Sequence, residues 1–219
     1  MVRLVDGSTD DREAQVGDDR RAVLSEFLRL FYAKNWVSGT GGGVCAVTPD
    51  GRLLLAPSGV HKERIQPSDF FTVDVQTGGI LTRPADARLQ PSACGPIFRT
   101  IIRRRGAGAV MHSHALAAVL AADLAAGGAV SFASLEMLKG IRGVTNRDRH
   151  AVPVISNTPE EADLTQEAEL VLAEERFAHS ACILVRDHGA YIWGADLWEA
   201  KRHAEVYHFL FEAARARHA

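Results

Sequence analysis

Cysteine is scarce in this 219-residue chain: Cys45, Cys94 and Cys182 are an odd number with no CxxC pair. Neither a disulfide framework nor a cysteine zinc cluster is expected, and a reducing compartment fits. Long apolar runs are also missing. No stretch approaches the ~20 residues needed to cross a bilayer, and Met1–Arg21 carries charges of both signs where a secretory signal would be apolar. The expectation is a cytoplasmic protein without a membrane partner. Neither sign of charge is in excess, since 25 basic and 27 acidic side chains leave a formal charge of -2. That balance gives no general attraction to nucleic acid, so any anion site must be local. There is no internal repeat, no low-complexity segment, no GKS or GKT behind a glycine run, and no GxGxxG opening a helix.

What is present suits an ordinary folded domain: 47% apolar and 24% charged residues can build a core without staples. Residues 1–19 are polar, with Asp10, Asp11, Asp18 and Asp19, and read as a flexible N-terminal tail. The remainder, 20–219, reads as one domain. Leu24, Phe27, Leu28, Leu30 and Phe31 predict an amphipathic helix over Arg20–Lys34. Val44–Val47 and Arg52–Ala56 predict a hairpin turning at Pro49-Asp50-Gly51. Strands are expected at Phe70–Val75, Ala109–His112, Val152–Ile155, Cys182–Arg186 and Ala190–Trp193. Helices are expected at about Ser92–Arg104, Ala115–Ala126, Pro159–Ala178 and Leu197–Ala216. This alternation implies stacked α/β layers.

Chemistry concentrates in a few places. His112-Ser113-His114 ends an apolar run, and a strand points residues i and i+2 to one side, so both imidazoles can face one ion. Such a pair alone is more often structural or solvent-facing. Support comes from His188, displayed in the polar turn Asp187-His188-Gly189 between two strand-like segments. Three neutral histidines would leave the fourth position of a tetrahedral zinc open, which is the catalytic arrangement. Histidine is used freely elsewhere: His203 and His208 read as helix-surface residues, His218 as a frayed end, and His61 and His150 as loop residues facing either pocket or solvent. Ser38–Gly43 and Pro57-Ser58-Gly59 could offer backbone N–H groups to a phosphate, or could be ordinary turns. Glu136 is a lone carboxylate that reads either as a surface residue or, if it faces a metal pocket, as a proton carrier. Cys94 is a small core residue or a substrate contact.

Taken together, Gly39-Thr40-Gly41-Gly42-Gly43, Ala56-Pro57-Ser58-Gly59-Val60, Lys62-Glu63-Arg64-Ile65-Gln66-Pro67, Arg105-Gly106-Ala107-Gly108-Ala109-Val110, His112-Ser113-His114, Glu136-Met137-Leu138-Lys139-Gly140, Asn157-Thr158-Pro159-Glu160-Glu161 and His188-Gly189-Ala190-Tyr191-Ile192-Trp193-Gly194 resemble one family. It is the class II aldolase and adducin family, in its dehydratase branch acting on 5-methylthioribulose 1-phosphate, and the likeness runs from about Arg20 to Ala214. The resemblance implies a three-layer α/β/α sandwich around a central, largely antiparallel sheet, and a zinc-dependent lyase of methionine salvage. It implies one zinc per subunit on His112, His114 and His188, Glu136 as proton donor and acceptor, and Cys94 as a substrate contact. Ser38, Gly39, Thr40, Ser58 and Gly59 are the candidate phosphate cradle. A homotetramer is implied too, with residues near Tyr207 as candidates to complete a neighbour's pocket. Related aldolases carry a catalytic glutamate in a Pro-Ser-Ala-Glu string, where this chain reads Pro91-Ser92-Ala93-Cys94, which argues against aldol cleavage. An aldolase or epimerase of another sugar phosphate, and a non-enzymatic scaffold, are the alternatives.

Overall fold

Helix α1 (Arg20–Ala33) buries Leu24, Phe27, Leu28 and Phe31, the face its apolar spacing predicts. This is a computed structural model that describes residues 20–218, so the expected tail at 1–19 lies outside the described residues. Strands β1 (Gly43–Val47) and β2 (Arg52–Leu55) form the expected antiparallel hairpin, with Gly51 at φ +79° in its turn. A two-residue strand β3 (Pro57–Ser58) follows, then β4 (Phe71–Asp74), β5 (Ile80–Thr82) and β6 (Gln90–Pro91). Helix α2 (Gly95–Arg105) leads to β7 (Ala109–Ser113), α3 (Leu116–Ala122), β8 (Ala129–Phe132) and β9 (His150–Ile155). The chain ends with α4 (Leu164–Ala173), β10 (Cys182–Val185), β11 (Gly189–Gly194) and α5 (Leu197–His218).

Nine strands join in the order β5-β4-β2-β1-β7-β11-β10-β9-β8, while β3 and β6 pair separately. Among the described residues only β9 with β10 is parallel. The sheet is therefore largely antiparallel, with α2 and α4 packed together on one face and α1, α3 and α5 on the other. Alternation along β7 and β11 assigns the faces. His112 and Tyr191 face α2, whose Phe98 meets the Tyr191 ring edge-on, while Ser113 faces α5.

Two expected helices are shorter than the periodicity suggests. The Pro159–Ala178 segment is helical only over Leu164–Ala173, because Glu161–Asp163 forms a 3₁₀ turn and Glu174 is extended. Ala115–Ala126 contracts to Leu116–Ala122 ahead of the left-handed pair Gly127-Gly128.

Several histidines read as surface or loop residues are buried. His208 donates from Nδ1 to Ala204 O at 2.6 Å, accepts the Ser113 hydroxyl at Nε2 at 2.7 Å, and stacks on Trp36. His203 is also buried and donates to Trp193 O at 2.7 Å. His150 opens β9 and accepts the Tyr207 hydroxyl proton at 2.9 Å. Tyr207 itself is fully buried and its oxygen accepts from the Ala181 N–H at 2.9 Å, so it cannot reach a neighbouring pocket. The helical period holds, but the inward face of α5 carries polar rings: His208 and Tyr207 are satisfied within the core, while His203 bonds only through Nδ1.

Two expectations follow. Tyr207→Phe leaves His150 Nε2 and the Ala181 N–H without their partner, and should cost about 1–3 kcal/mol in urea unfolding. Burial pulls the His150 and His208 pKa values down to about 4. The folded state thus resists protons that the unfolded chain accepts near its ordinary histidine value of about 6.5. Their contribution is complete above that value and is lost as pH falls from about 6.5 towards 4, so the urea midpoint should drop between pH 7 and pH 5.

Candidate metal centre

The register of β7 against β11 places Tyr191 opposite His112 and Ala190 opposite Ser113. His112 therefore ends a strand directly beside the turn that carries His188. His114 lies one residue past β7, held by its N–H to Trp36 O at 2.8 Å. The result is three Nε2 atoms separated by 2.8 Å (His112 to His114), 3.2 Å (His112 to His188) and 3.1 Å (His114 to His188).

Hydrogen bonds on the far side of two rings fix what those nitrogens can do. His112 Nδ1–H donates to Ala190 O at 3.1 Å, and His188 Nδ1–H donates to Asn157 Oδ1 at 3.1 Å. Both Nε2 atoms must then be bare lone pairs. Two lone pairs at 3.2 Å repel unless a cation lies between them. A tetrahedral ion with Zn–N bonds of about 2.0–2.1 Å sets its nitrogens about 3.3 Å apart, so the cluster fits a metal of that size. Burial pulls down the pKa of His112 and His188, and that of His114 to about 4, so the cluster is neutral and ready to bind at pH 7.

Glycines make the approach possible. A Cβ on Gly189 would lie 1.9 Å from Ser113 O, and one on Gly41 would lie 2.5 Å from His114 Nδ1. The Ser38–Gly43 segment thus runs against His114, with Ser38, Gly39 and Thr40 exposed at its tip. The second candidate turn, Ser58-Gly59, sits on the β3–β6 pair that leads into Ser92 and Cys94. Cys94 is buried at the head of α2, and its sulfur lies within 4.8 Å of a His112 nitrogen and a Glu161 carboxylate oxygen. Burial pushes the Cys94 thiol well up, so it stays protonated.

Glu136 is the exception among the expected site residues. It is exposed, pairs with Lys139 at 2.6 Å and accepts from Asn146 at 2.7 Å. Its 3₁₀ turn packs on α5, over the sheet face opposite His112, and it does not join the histidines of its own chain. The carboxylate that does approach is Glu161, which accepts the Tyr191 hydroxyl at 2.7 Å while the Tyr191 ring stacks on His112 at 4.0 Å. Asn157 and Glu161 stood in the Asn-Thr-Pro-Glu-Glu string without an assigned role, and only the folded chain shows which side chains they touch.

The family described as "Class II Aldolase and Adducin N-terminal domain" matches residues 22–214. The chain belongs to that family. It is 42% identical over 200 residues to the methylthioribulose-1-phosphate dehydratase of Gallus gallus, covering 89% of this chain and 81% of that one. It is 40% identical over 207 residues to the human protein of the same name, covering 92% and 84%. Among solved structures, YgbL from Escherichia coli, titled a putative aldolase/epimerase/decarboxylase, aligns with a TM-score of 0.75 at 19% identity over 90% and 89% of the two chains. The L-fuculose-1-phosphate aldolase of Thermus thermophilus aligns with a TM-score of 0.66 at 25% identity over 90% and 96%. The expected sandwich with a largely antiparallel sheet is the fold observed.

Two substitutions test the histidine cluster as a metal site. Asn157→Ala frees His188 Nδ1 and should weaken metal binding about 10–100-fold in chelator competition. Gly189→Ala forces β7 and β11 apart at the site and should cost about 2–3 kcal/mol in denaturant unfolding together with metal affinity.

Proposed function

We propose that the chain dehydrates 5-methylthioribulose 1-phosphate to 2,3-diketo-5-methylthiopentyl 1-phosphate, the methionine-salvage step for which its relatives are named. The observation that carries the reading is the open three-histidine cluster within a chain about 40% identical, over nine-tenths of its length, to dehydratases of that name.

Chemically, a proton must leave C3, next to the C2 ketone, and hydroxide must leave C4. Together they make water, and the remaining enol tautomerises to the diketone. His112, His114 and His188 are the residues that would hold one zinc per subunit. Such an ion, when bound, supplies Lewis-acid polarisation of the substrate's carbonyl oxygen. Cys94, kept as a neutral thiol by burial, lines the pocket where a carboxylate base would otherwise favour C–C cleavage. Ser38, Gly39, Thr40, Ser58 and Gly59 offer hydroxyls and backbone N–H groups to the phosphate from two turns flanking the histidines.

Glu136 is the assigned proton carrier, taking the C3 proton and returning one to the C4 hydroxyl, directly or through a second base. Because it lies on the other side of its own sheet, it can act only on a neighbouring subunit's pocket, as the homotetramer would allow. The reaction calls on no membrane. Among the described residues no helix is long and apolar enough to span one.

Metal-analysed protein incubated with the substrate should yield a product lighter by one water in mass spectrometry, and prior chelation should abolish it. Intact substrate at full metal occupancy would overturn the assignment, and fragments from C–C cleavage would favour an aldolase. Glu136→Gln should keep the metal while lowering turnover at least about 100-fold. Mixing it with inactive His114→Ala subunits should restore part of the activity, because a hybrid contains one pocket with both groups intact.

A further inference from the structure

Lys62 is 2% exposed, among the most deeply buried large side chains in the molecule. Among the described residues no carboxylate lies within ion-pair distance of it. Its ammonium donates to Val60 O at 3.3 Å and Pro57 O at 3.4 Å, both long bonds. Those two carbonyls flank Ser58 and Gly59, so the cation sits beneath the turn assigned above to the phosphate.

The turn is open on its other side. Gly59 has φ +68°, and nothing lies within 4 Å of where its Cβ would be. Its base is tied to the Cys94 loop by the Pro57–Pro91 and Ser58–Gln90 pairing and by the Ser92 N–H, which donates to Ala56 O at 3.1 Å. The Glu161 carboxylate acts on Lys62 through space without forming an ion pair, and the lysine charge adds a smaller depression to the His112 and His114 pKa values that burial already lowers. One positive charge beneath the turn is thus close enough to be felt at the histidine cluster, which matches a substrate whose phosphate on C1 adjoins the carbonyl at C2.

We propose that Lys62 is a positioning residue whose buried charge makes the Ser58-Gly59 turn selective for a phosphorylated sugar. This rests on the functional reading above. An unpaired buried ammonium is costly to keep, and an incoming phosphate dianion is the counter-charge it lacks. Burial pulls the lysine pKa down, so the arriving anion also strengthens the protonated form.

The test compares K62Q, which keeps a donor for the turn's carbonyls without the charge, with K62M, which removes both. Zinc content, thermal midpoint, the dissociation constant for inorganic phosphate, and kcat and KM for the phosphorylated substrate are measured for each. K62Q should keep its zinc and its thermal midpoint while phosphate affinity weakens at least tenfold. KM should rise at least tenfold with kcat changed less than threefold. K62M should behave alike, with a midpoint equal to or above that of the native protein. Phosphate affinity within twofold of native in either folded variant would overturn the proposal. So would a rise in KM matched by an equal rise for the unphosphorylated sugar. Phosphate binding by native protein that depends on Lys62 without turnover of this substrate would instead sink the functional reading and leave the charge assignment standing.

Discussion

The close approach of β7 and β11 at Gly189 is the constraint on which the centre depends. Antiparallel pairing in this register puts the end of β7 beside the start of β11, so that His112 on one and His188 just before the other share a space. A side chain at position 189 would collide with Ser113 O, and glycine alone permits the contact. The rest of the fold holds that pairing in place. Ser113, between two candidate ligands, turns its hydroxyl to the opposite face, where His208 of α5 accepts it. Tyr191, paired with His112, braces the imidazole by stacking and is itself held by Glu161. The alternation of a strand therefore does two jobs in three residues, sending the histidines towards the ligand and the serine into the core.

Much of this was legible in the sequence. The His-Ser-His spacing, the polar turn around His188 and the apolar runs beside both depend on local periodicity, which the linear pattern carries directly. Other features depend on pairing across the sheet. Ile80–Thr82 and Ala129–Phe132 are the two edge strands of the sheet, paired on one side only, and neither carries the apolar run that marks the central strands. The helix expected from Pro159 begins instead at Leu164, after a 3₁₀ turn whose Glu161 is engaged by a tyrosine 30 positions away. Nothing local in the sequence announces that partnership. Buried His203 and His208 were misread for a related reason: a polar residue on an inward face looks like a surface residue until its partner is known.

Glu136 shows the limit of reasoning from one chain. Its string resembles the dehydratases more specifically than the histidine pair does, yet the side chain faces solvent and pairs with Lys139 and Asn146. A carboxylate so placed keeps an ordinary, ionised character: the lysine beside it holds its pKa below the usual value. Acting as a proton carrier in the same setting would be unfavourable. Docking against a neighbour's pocket would exclude water, compete with Lys139 and raise that pKa towards the working range. Assembly would then be part of the chemistry as well as of stability.

The charges inside one pocket point the same way. The neutral histidines and the neutral thiol of Cys94 give Lys62 no counter-charge, and Glu161, which accepts the Tyr191 hydroxyl, acts on it through space without forming an ion pair. Without its ligands the site thus holds an ammonium with no ion-pair partner on one side and facing nitrogen lone pairs on the other. A cation at the histidines and a phosphate at the Ser58-Gly59 turn each relieve one of these, and a ketose phosphate that touches both joins them in a single molecule. Selectivity for a carbonyl one carbon from a phosphate then follows from where two unbalanced groups sit, without a shape-matched cavity having to supply it.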